Sequence, residues 1–339
     1  MSTLDDVPTP AATAPPGKTI HPVRDLLVQR TLFGLLTLWL VSIIVFWATQ
    51  LLPGNAAYAI LGQTATPESL AALEKRLGLD QPAVVQYWQW FSGVLHGDLG
   101  TSLVGQQTGV GDLVWPRVLN SAVLVLLAGV IGAAVGVILG LLAAVRRDSV
   151  LDHGLSVASL AVTSLPEFAI AIGVVFVLAT NVFHLFPAVS PLPPGSKPWN
   201  EPQMLVLPVL TLVIVVVPYI QRMMRGAAIE ALESEYVEFA RLKGLPRHAV
   251  LLRHALPNAL PATVQAIGLT FLYLAGGIVL VEYVFAYPGI GSGLVSAVTD
   301  KDIPVIQFIV LLLAAFYVVM NIGADVATLI ATPRRRRPR

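Results

Sequence analysis

The residues that could do chemistry are concentrated in one stretch, 238–261, which reads EFARLKGLPRHAVLLRHALPNALP. Its two histidines, His248 and His254, are six positions apart, so they do not share a helical face well enough to hold a metal ion. The chain contains neither H-E-x-x-H nor G-x-S-x-G, the patterns of zinc proteases and α/β-hydrolases. We therefore predict no catalytic residue, no metal site and no enzymatic activity in this chain.

A second candidate for chemistry is PPGKT, which ends at Thr19 and resembles the end of a phosphate-binding loop. Such a loop has a first glycine five positions before the glycine that precedes the lysine, and it follows a strand. Here Ala12 occupies that position before Gly17, and no strand pattern precedes it. We predict that the chain itself binds no nucleotide and no other cofactor.

The charged stretch has the pattern of two helices joined by a turn. From 228 to 243 apolar residues recur at i, i+4, i+7 and i+8, which predicts one helix with one apolar face. Those residues are Leu232, Tyr236, Phe239 and Ala240. Gly244 follows at once, and a glycine there can take the left-handed conformation that ends a helix.

A second short helix is predicted to begin at Pro246 and to stop at Pro257, because the residue before a proline is disfavoured in helical geometry. These two helices and the turn between them would form a projecting structure to which a partner protein can bind. A charged helical loop can equally be a solvated connector. From the pattern alone both interpretations stay open.

Composition shows that the chain is a membrane protein. Apolar residues make up 55%, charged residues 12%, and the mean hydropathy is +0.75, well outside the usual range of soluble proteins. Because lipid leaves no water to bond the backbone, each spanning segment should be a helix. We predict an all-α, polytopic fold with six transmembrane helices. Their stretches are 31–52, 119–145, 155–182, 204–221, 260–281 and 305–330.

Basic residues indicate the orientation. If the N-terminus is inside, sixteen of the 21 Lys and Arg residues lie in inner segments, and the bias predicts that both termini are cytoplasmic. The charged stretch then belongs to the longest inner loop. The predicted segments are a disordered cytoplasmic segment (1–30), a first transmembrane helix (31–52), an external loop (53–118), a core transmembrane domain (119–330) containing the cytoplasmic loop 222–259, and a basic cytoplasmic tail (331–339).

The external loop carries helix signals of its own. Thr66 and Pro67 suit the start of a helix, Leu70, Leu73 and Leu77 its apolar face, and Gly78 its end. A second amphipathic run places aromatic residues together, either as an interfacial cap on the bundle or as a platform for an external partner. These aromatic residues are Tyr87, Trp88, Trp90 and Phe91.

Two features lie inside the spans. Gly132, Gly136 and Gly140, flanked by Ala128 and Ala144, form a small-residue seam that predicts close packing against another helix.

In the third span, Pro166 and Glu167 stand among apolar residues, where a carboxylate is costly unless it faces water or a partner. A role in a transport path and a structural, hydrogen-bonded role both remain possible for Glu167.

The inner loop resembles the coupling loop of permease subunits of binding-protein-dependent ABC importers, whose pattern is Glu-Ala-Ala, three residues, Gly, nine residues, Ile, one residue and Leu-Pro. This chain matches the spacing throughout, with Phe239 in place of the middle Ala and His254 in place of Ile. The resemblance implies contact with an ATPase by Glu238, Ala240, Gly244, Pro246, Arg247, His254, Leu256 and Pro257.

Other stretches extend the resemblance to the dipeptide, oligopeptide and nickel branch of that family. Residues 51–102 resemble its first outer loop, with Asn55 where an Asp is usual, and 282–307 resemble its last outer loop. The resemblance implies the type I permease fold in a bacterial inner membrane. It also implies a second homologous permease, two cytoplasmic ATPases that bind ATP and Mg, and an external substrate-binding protein, with no nucleic acid.

Two other classes of protein remain to be weighed. A secondary transporter or channel needs its own coupling-ion site, and the predicted spans contain only Glu167 and Asp325 as acidic residues. A membrane scaffold would not need the turn chemistry of the inner loop. Copurification with an ATPase distinguishes the importer subunit from both, whereas the transported solute, peptide or nickel, is not indicated by any single residue.

Overall fold

The computed structural model describes residues 22–51, 66–69, 71, 75, 80–104, 108–193 and 195–331. Within these ranges the regular structure is helical, which confirms the all-α prediction. The helices are α1 (Pro22–Gln50), α2 (Ala83–Leu95), α3 (Val110–Val145), α4 (Val150–Thr163), α5 (Glu167–Val175), α6 (Pro202–Leu232), α7 (Glu235–Leu242), α8 (Arg247–Val250), α9 (Leu256–Val284), α10 (Ile290–Thr299) and α11 (Ile303–Ala331).

Five helical stretches are long and apolar enough to cross a membrane, and α4 with α5 makes a sixth if the bent pair counts as one span. The five are Leu27–Gln50, Val110–Val145, Pro202–Leu232, Arg247–Val284 and Ile303–Val326. The count agrees with the six predicted spans. Most of the helices extend beyond the apolar stretches, because a helix can continue into water where polar side chains are solvated. Residues 22–30, which were predicted to be disordered, instead belong to α1, and the rest of the predicted segment 1–30 lies outside the described residues.

The third span is not the continuous segment 155–182 that was predicted. It consists of α4 and of α5 with a π-helical turn, Phe176–Thr180, and the two halves meet at an angle of 106°. Pro166 causes the break because it has no N–H for the carbonyl of Val162, which bonds the Leu165 amide at 3.1 Å instead. The break leaves Glu167 in the first turn of α5.

The centre of the bundle is the contact between α3 and α6, and it is made through the glycine seam. A β-carbon at Gly132 would lie 2.6 Å from Val216 Cγ2, and one at Gly136 would lie 2.7 Å from Ile220 Cβ. At Gly140 the obstacle is the backbone of α6 itself. These distances leave no room for a larger residue, so the seam sets the separation of the two helices.

The C-terminal end of α1 is covered by α2. The hydroxyls of Tyr87 and Ser42 are 3.0 Å apart, and the Tyr87 ring packs against Phe46 and stacks on Phe91. Tyr87 is buried, whereas Trp88 is exposed. The aromatic run therefore attaches one face of α2 to the bundle through Tyr87 and leaves the face that carries Trp88 exposed.

The start of the earlier loop helix is also visible. The Ser69 amide donates to Thr66 Oγ1 at 3.2 Å, the N-cap bond expected for Thr66. The predicted positions Leu70, Leu73, Leu77 and Gly78 lie outside the described residues.

Helices α1 and α11 are joined by polar contacts. Arg30 Nε lies 2.7 Å from Asp325 Oδ2, and Gln307 Nε2 donates to Thr49 Oγ1 at 2.8 Å. Asp325 is one of the two acidic residues that a coupling-ion site was expected to use. Its carboxylate is instead engaged by an arginine of this chain.

Candidate functional site

The inner loop begins where α6 ends, at Leu232, rather than continuing as one helix over 228–243. Ser234 is extended and acts as the N-cap of α7, which interrupts the predicted helix. The predicted apolar face is wrong for the same reason, since it assumed an unbroken helix. Val237 and Ala240 are buried, whereas Tyr236 and Phe239 are exposed.

The turn at Gly244 has the predicted left-handed conformation, with φ +77°. The Gly244 amide donates to the Arg241 carbonyl at 2.9 Å, and the Leu245 amide donates to the Ala240 carbonyl at 3.4 Å. This pair of bonds is the Schellman motif that ends a helix. A β-carbon at Gly244 would meet nothing within 4 Å, so the need for glycine is conformational and not steric.

A small apolar cluster sets the angle of the next helix. Pro246 is the N-cap of α8, and Val250 of α8 packs against Val237 and Ala240 of α7. Because these three side chains are buried against one another, α7 and α8 are held together as a unit. Ala240 therefore faces the interior of the loop.

The prediction that the second helix stops at Pro257 is wrong. A π-helical turn, Leu251–Ala255, joins α8 to α9, so helical structure runs without a break from Arg247 to Val284. The missing N–H of Pro257 is tolerated because the wider turn changes the bonding, with the Leu256 amide donating to Leu251 O. Asn258 Nδ2 also donates to the His254 carbonyl at 2.7 Å. The loop helix is thus continuous with a membrane span.

The remaining loop residues divide by exposure. Glu238, Arg247 and Pro257 are exposed, His254 is half-buried, and Leu256 packs against the inner ends of the spans. Phe239 and Leu242 add two exposed apolar side chains. The outward face of the loop therefore combines charge with apolar surface.

Glu167 of the broken span lies against α9. Tyr273 of α9 lies near its carboxylate, and a β-carbon at Gly277 would be 2.5 Å from Oε2. Oε2 is buried and has no hydrogen-bond partner among the residues that the structure describes. A carboxylate so placed needs a further donor, from a ligand or from another subunit.

The side of α9 beside Glu167 is open. Its exposed residues recur at intervals of three and four, which places them on one helical face. They are Leu269, Tyr273, Gly276, Leu280 and Tyr283. Two tyrosines on such a face are suited to a polar surface or a partner, because a buried or lipid-covered hydroxyl requires a hydrogen bond.

Two protein families match this chain over most of its length. Residues 136–337 match the family described as "Binding-protein-dependent transport system inner membrane component", and 23–108 match "Binding-prot-dependent transport system membrane comp, N-term". The chain belongs to this permease family. The resemblance seen in the inner loop is therefore confirmed, and family membership implies partnership with a substrate-binding protein and an ATPase.

Several relatives of the permease are similar over nearly their whole length. A putative peptide transport system permease protein of Brucella abortus is 36% identical over 311 residues, 92% of this chain and 98% of the relative. A probable peptide ABC transporter permease protein of Sinorhizobium fredii is 34% identical, covering 91% and 98%. The glutathione transport system permease protein GsiC of Salmonella paratyphi A is 35% identical, covering 88% and 95%.

Sequence reasoning missed the most buried acid of the permease, Glu282. Its carboxylate accepts hydrogen bonds from the Ser121 hydroxyl and from the amides of Gly291, at 2.7 Å, and Ser292, at 3.2 Å. It therefore caps α10 and ties that helix to α3. The fifth span was predicted to end at residue 281, so Glu282 was assigned to a loop. The signal that could have identified Glu282 as a capping residue was the glycine-rich start of a helix eight residues later.

The same corner holds a buried tyrosine. The Tyr287 hydroxyl donates to the Asn120 carbonyl at 3.1 Å, and Asn120 Nδ2 donates to the Pro288 carbonyl at 2.8 Å. Burial raises the pKa of the Tyr287 phenol, and the charge of Glu282 acts in the same direction. These reciprocal bonds fix the C-terminal end of α9 to α3.

A second missed pair lies at the inner side. Arg225 Nε and Nη2 donate to the two carboxylate oxygens of Asp152 at 2.6 and 2.7 Å, and Asp152 is buried. Ser149 caps α4 by accepting from the Asp152 amide. The Ser149 to Asp152 spacing signals a helix start in the sequence, but the partner 73 residues away is a property of the fold.

Proposed function

We propose that the permease forms part of the translocation path of an ATP-driven importer for dipeptides and oligopeptides. The observation that carries this proposal is the unbroken helical run from the inner loop into a membrane span. A docking helix that continues directly into a span can pass force from a cytoplasmic partner to the path. The peptide substrate is supported by the names of the Brucella and Sinorhizobium relatives.

The coupling residues follow from this arrangement. Glu238, Arg247, His254 and Pro257 make or border the contact with the ATPase, together with exposed Phe239. Ala240, Gly244, Pro246 and Leu256 act indirectly, by fixing the turn and seating the helix. Only part of the coupling-loop motif therefore faces outward, and the rest of the motif positions that part.

The proposed complex contains this permease, a second homologous permease, two ATPases that bind ATP and Mg, and an external binding protein. It lies in a bacterial inner membrane with both termini of this chain in the cytoplasm. Sixteen of 21 basic residues on one side support that orientation. Reporter fusions should indicate the outside after Gly195 and the inside after Arg247 and Arg339. An outside signal at Arg247 would contradict the docking role.

The proposed path runs along the open face of α9, beside the break at Pro166. Glu167 supplies a carboxylate at that break, and Tyr273 of α9 lies near it. A peptide carries a positively charged amino group and hydrogen-bond donors, so an acidic and phenolic surface suits its passage.

Copurification and transport test the proposal. The permease is expressed with the ATPase and permease genes of the same importer, purified through a tag on this chain, and reconstituted in liposomes. We expect the ATPase to copurify, and labelled dipeptide to accumulate only with ATP and binding protein. Uptake that needs an ion gradient and no ATPase would instead indicate a secondary transporter.

A further inference from the structure

A basic cleft of about 690 Å³ opens beside the inner loop. Apolar side chains form most of its wall, and they come from the ends of α3 and α6 as well as from the loop. These are Val145, Leu232, Leu245, Val250 and Leu251. The other lining residues are Arg241, Arg247 and His248, and all three are exposed.

The positive charge of the cleft is not compensated within the described chain. No acidic residue lines it, and the side chains of Arg241, Arg247 and His248 form neither an ion pair nor a hydrogen bond with any residue that the structure describes. Glu233, next to the cleft residue Leu232, is paired with Arg147. An anionic group from outside the chain would therefore meet two unpaired guanidinium groups.

The position of the cleft favours a protein over a lipid. Gly140 of α3 is level with Gln221 and Arg225, where the apolar part of α6 has ended. Val145 lies five residues farther along α3, or about 7 Å at the rise of an α-helix. The cleft consequently lies beyond Gln221 and Arg225, which follow the apolar part of α6, and on the side where the inner loop projects.

We propose that this cleft receives an acidic, apolar-flanked segment of the partner ATPase. The inference rests on the proposed ATPase docking and adds a second contact to it: the loop presents an outward face and also accepts a side chain from the ATPase. Arginine suits a carboxylate because its planar donors can bind both oxygens, and the apolar wall would exclude water from that pair. The occupant would contact α3, α6 and α8 together.

Charge reversal provides the test. Arg241→Glu with His248→Glu places two carboxylates in the cleft at residues outside the proposed outward contact, and we expect the affinity of the purified ATPase for the permease complex in nanodiscs to fall at least about tenfold. The control is Lys243→Glu with Arg253→Glu, which makes an even larger charge change on the same loop outside the lining. We expect less than about threefold loss there. Wild-type affinity should also weaken as salt rises.

Equal losses in the two double variants, or no loss in the cleft variant, would overturn the inference. If the cleft variant does not assemble, labelling of Leu245→Cys in a chain that has no native cysteine serves instead. Bound ATPase should slow maleimide labelling of this cleft residue several-fold, and unchanged labelling would contradict the proposal. Failure of the wild-type permease to bind any ATPase would refute the proposed function itself, which is a distinguishable result.

Discussion

The carboxylate of Glu167 approaches α9 so closely that only a glycine fits opposite it at Gly277. A β-carbon at residue 277 would lie 2.5 and 2.8 Å from the two oxygens, whereas one at Gly276 would meet nothing within 4 Å. A side chain would therefore collide with the carboxylate at residue 277 but not at the adjacent residue 276. The carboxylate is held where a helix break and a neighbouring span meet.

This difference gives the first prediction. Gly277→Ala should displace the Glu167 carboxylate and lower uptake, whereas stability should change little, because the atoms that must move are the end of a flexible side chain and alanine favours the helix by about 0.5–1 kcal/mol. Gly323→Ala in α11 is the control, because a β-carbon there also meets nothing within 4 Å and the residue lies off the proposed path, so this variant should transport normally. Uptake and thermal unfolding of the purified complex are measured for both variants. If the two variants have the same uptake, the close approach of Glu167 to Gly277 does not matter for transport.

The second prediction concerns the charge of Glu167. If the carboxylate lines the path, Glu167→Gln should lower transport while the complex still assembles, because the shape is kept and the charge is lost. Uptake by liposomes and the yield of complex on gel filtration are compared with wild type. Loss of the assembled complex would favour the structural, hydrogen-bonded role.

The third prediction concerns the turn at Gly244. Gly244→Val should leave the protein inserted but abolish substrate-stimulated ATP hydrolysis, because a residue with a β-carbon loses about 1–2 kcal/mol in the left-handed conformation. Copurification of the ATPase should weaken as well. Gly226→Val is a suitable control, since Gly226 also has open space around it and lacks a positive φ. Normal hydrolysis in the Gly244 variant would mean that the loop is a solvated connector.

The fourth prediction concerns the pair of Asp152 and Arg225. Asp152 is buried but the Arg225 side chain is 29% exposed, so removing either partner should cost less than the about 3–5 kcal/mol of a fully buried pair, because water screens the charge that is left. Asp152→Asn and Arg225→Gln should therefore each destabilise the permease, and the double variant should lose less than the sum of the two. Denaturation of each variant in detergent measures this coupling. Additive losses would show that the contact contributes little.

Local rules predicted the features that depend on neighbouring residues. Gly244 was identifiable because a glycine directly after a helical pattern tends to take the left-handed conformation. The rule for proline failed at Pro257, since it assumes ordinary α-helical bonding and the π-helical turn at Leu251–Ala255 removes that assumption. At Pro166, where a continuous span was predicted, the structure has a complete break.

Features that depend on distant residues were not accessible in the same way. The periodicity of Tyr236 and Phe239 indicates an apolar face, but periodicity alone cannot tell a face that packs inward from one that awaits a partner. The bonds of Glu282 to Ser121 and of Asp152 to Arg225 join residues 161 and 73 positions apart. Only the folded bundle brings such groups together.

The corner at Glu282 gives the helical run that ends beside it a fixed end. Arg247–Val284 comprises 38 residues, about 57 Å of helix, and its outer end is bonded to α3 and α10. If the run moves as one rigid body, a rotation of roughly 5° about that bonded end would move the loop end by about 5 Å at this length. Under the proposed coupling, a small rearrangement at the corner would thus become a displacement large enough for a docked ATPase to sense at the other end.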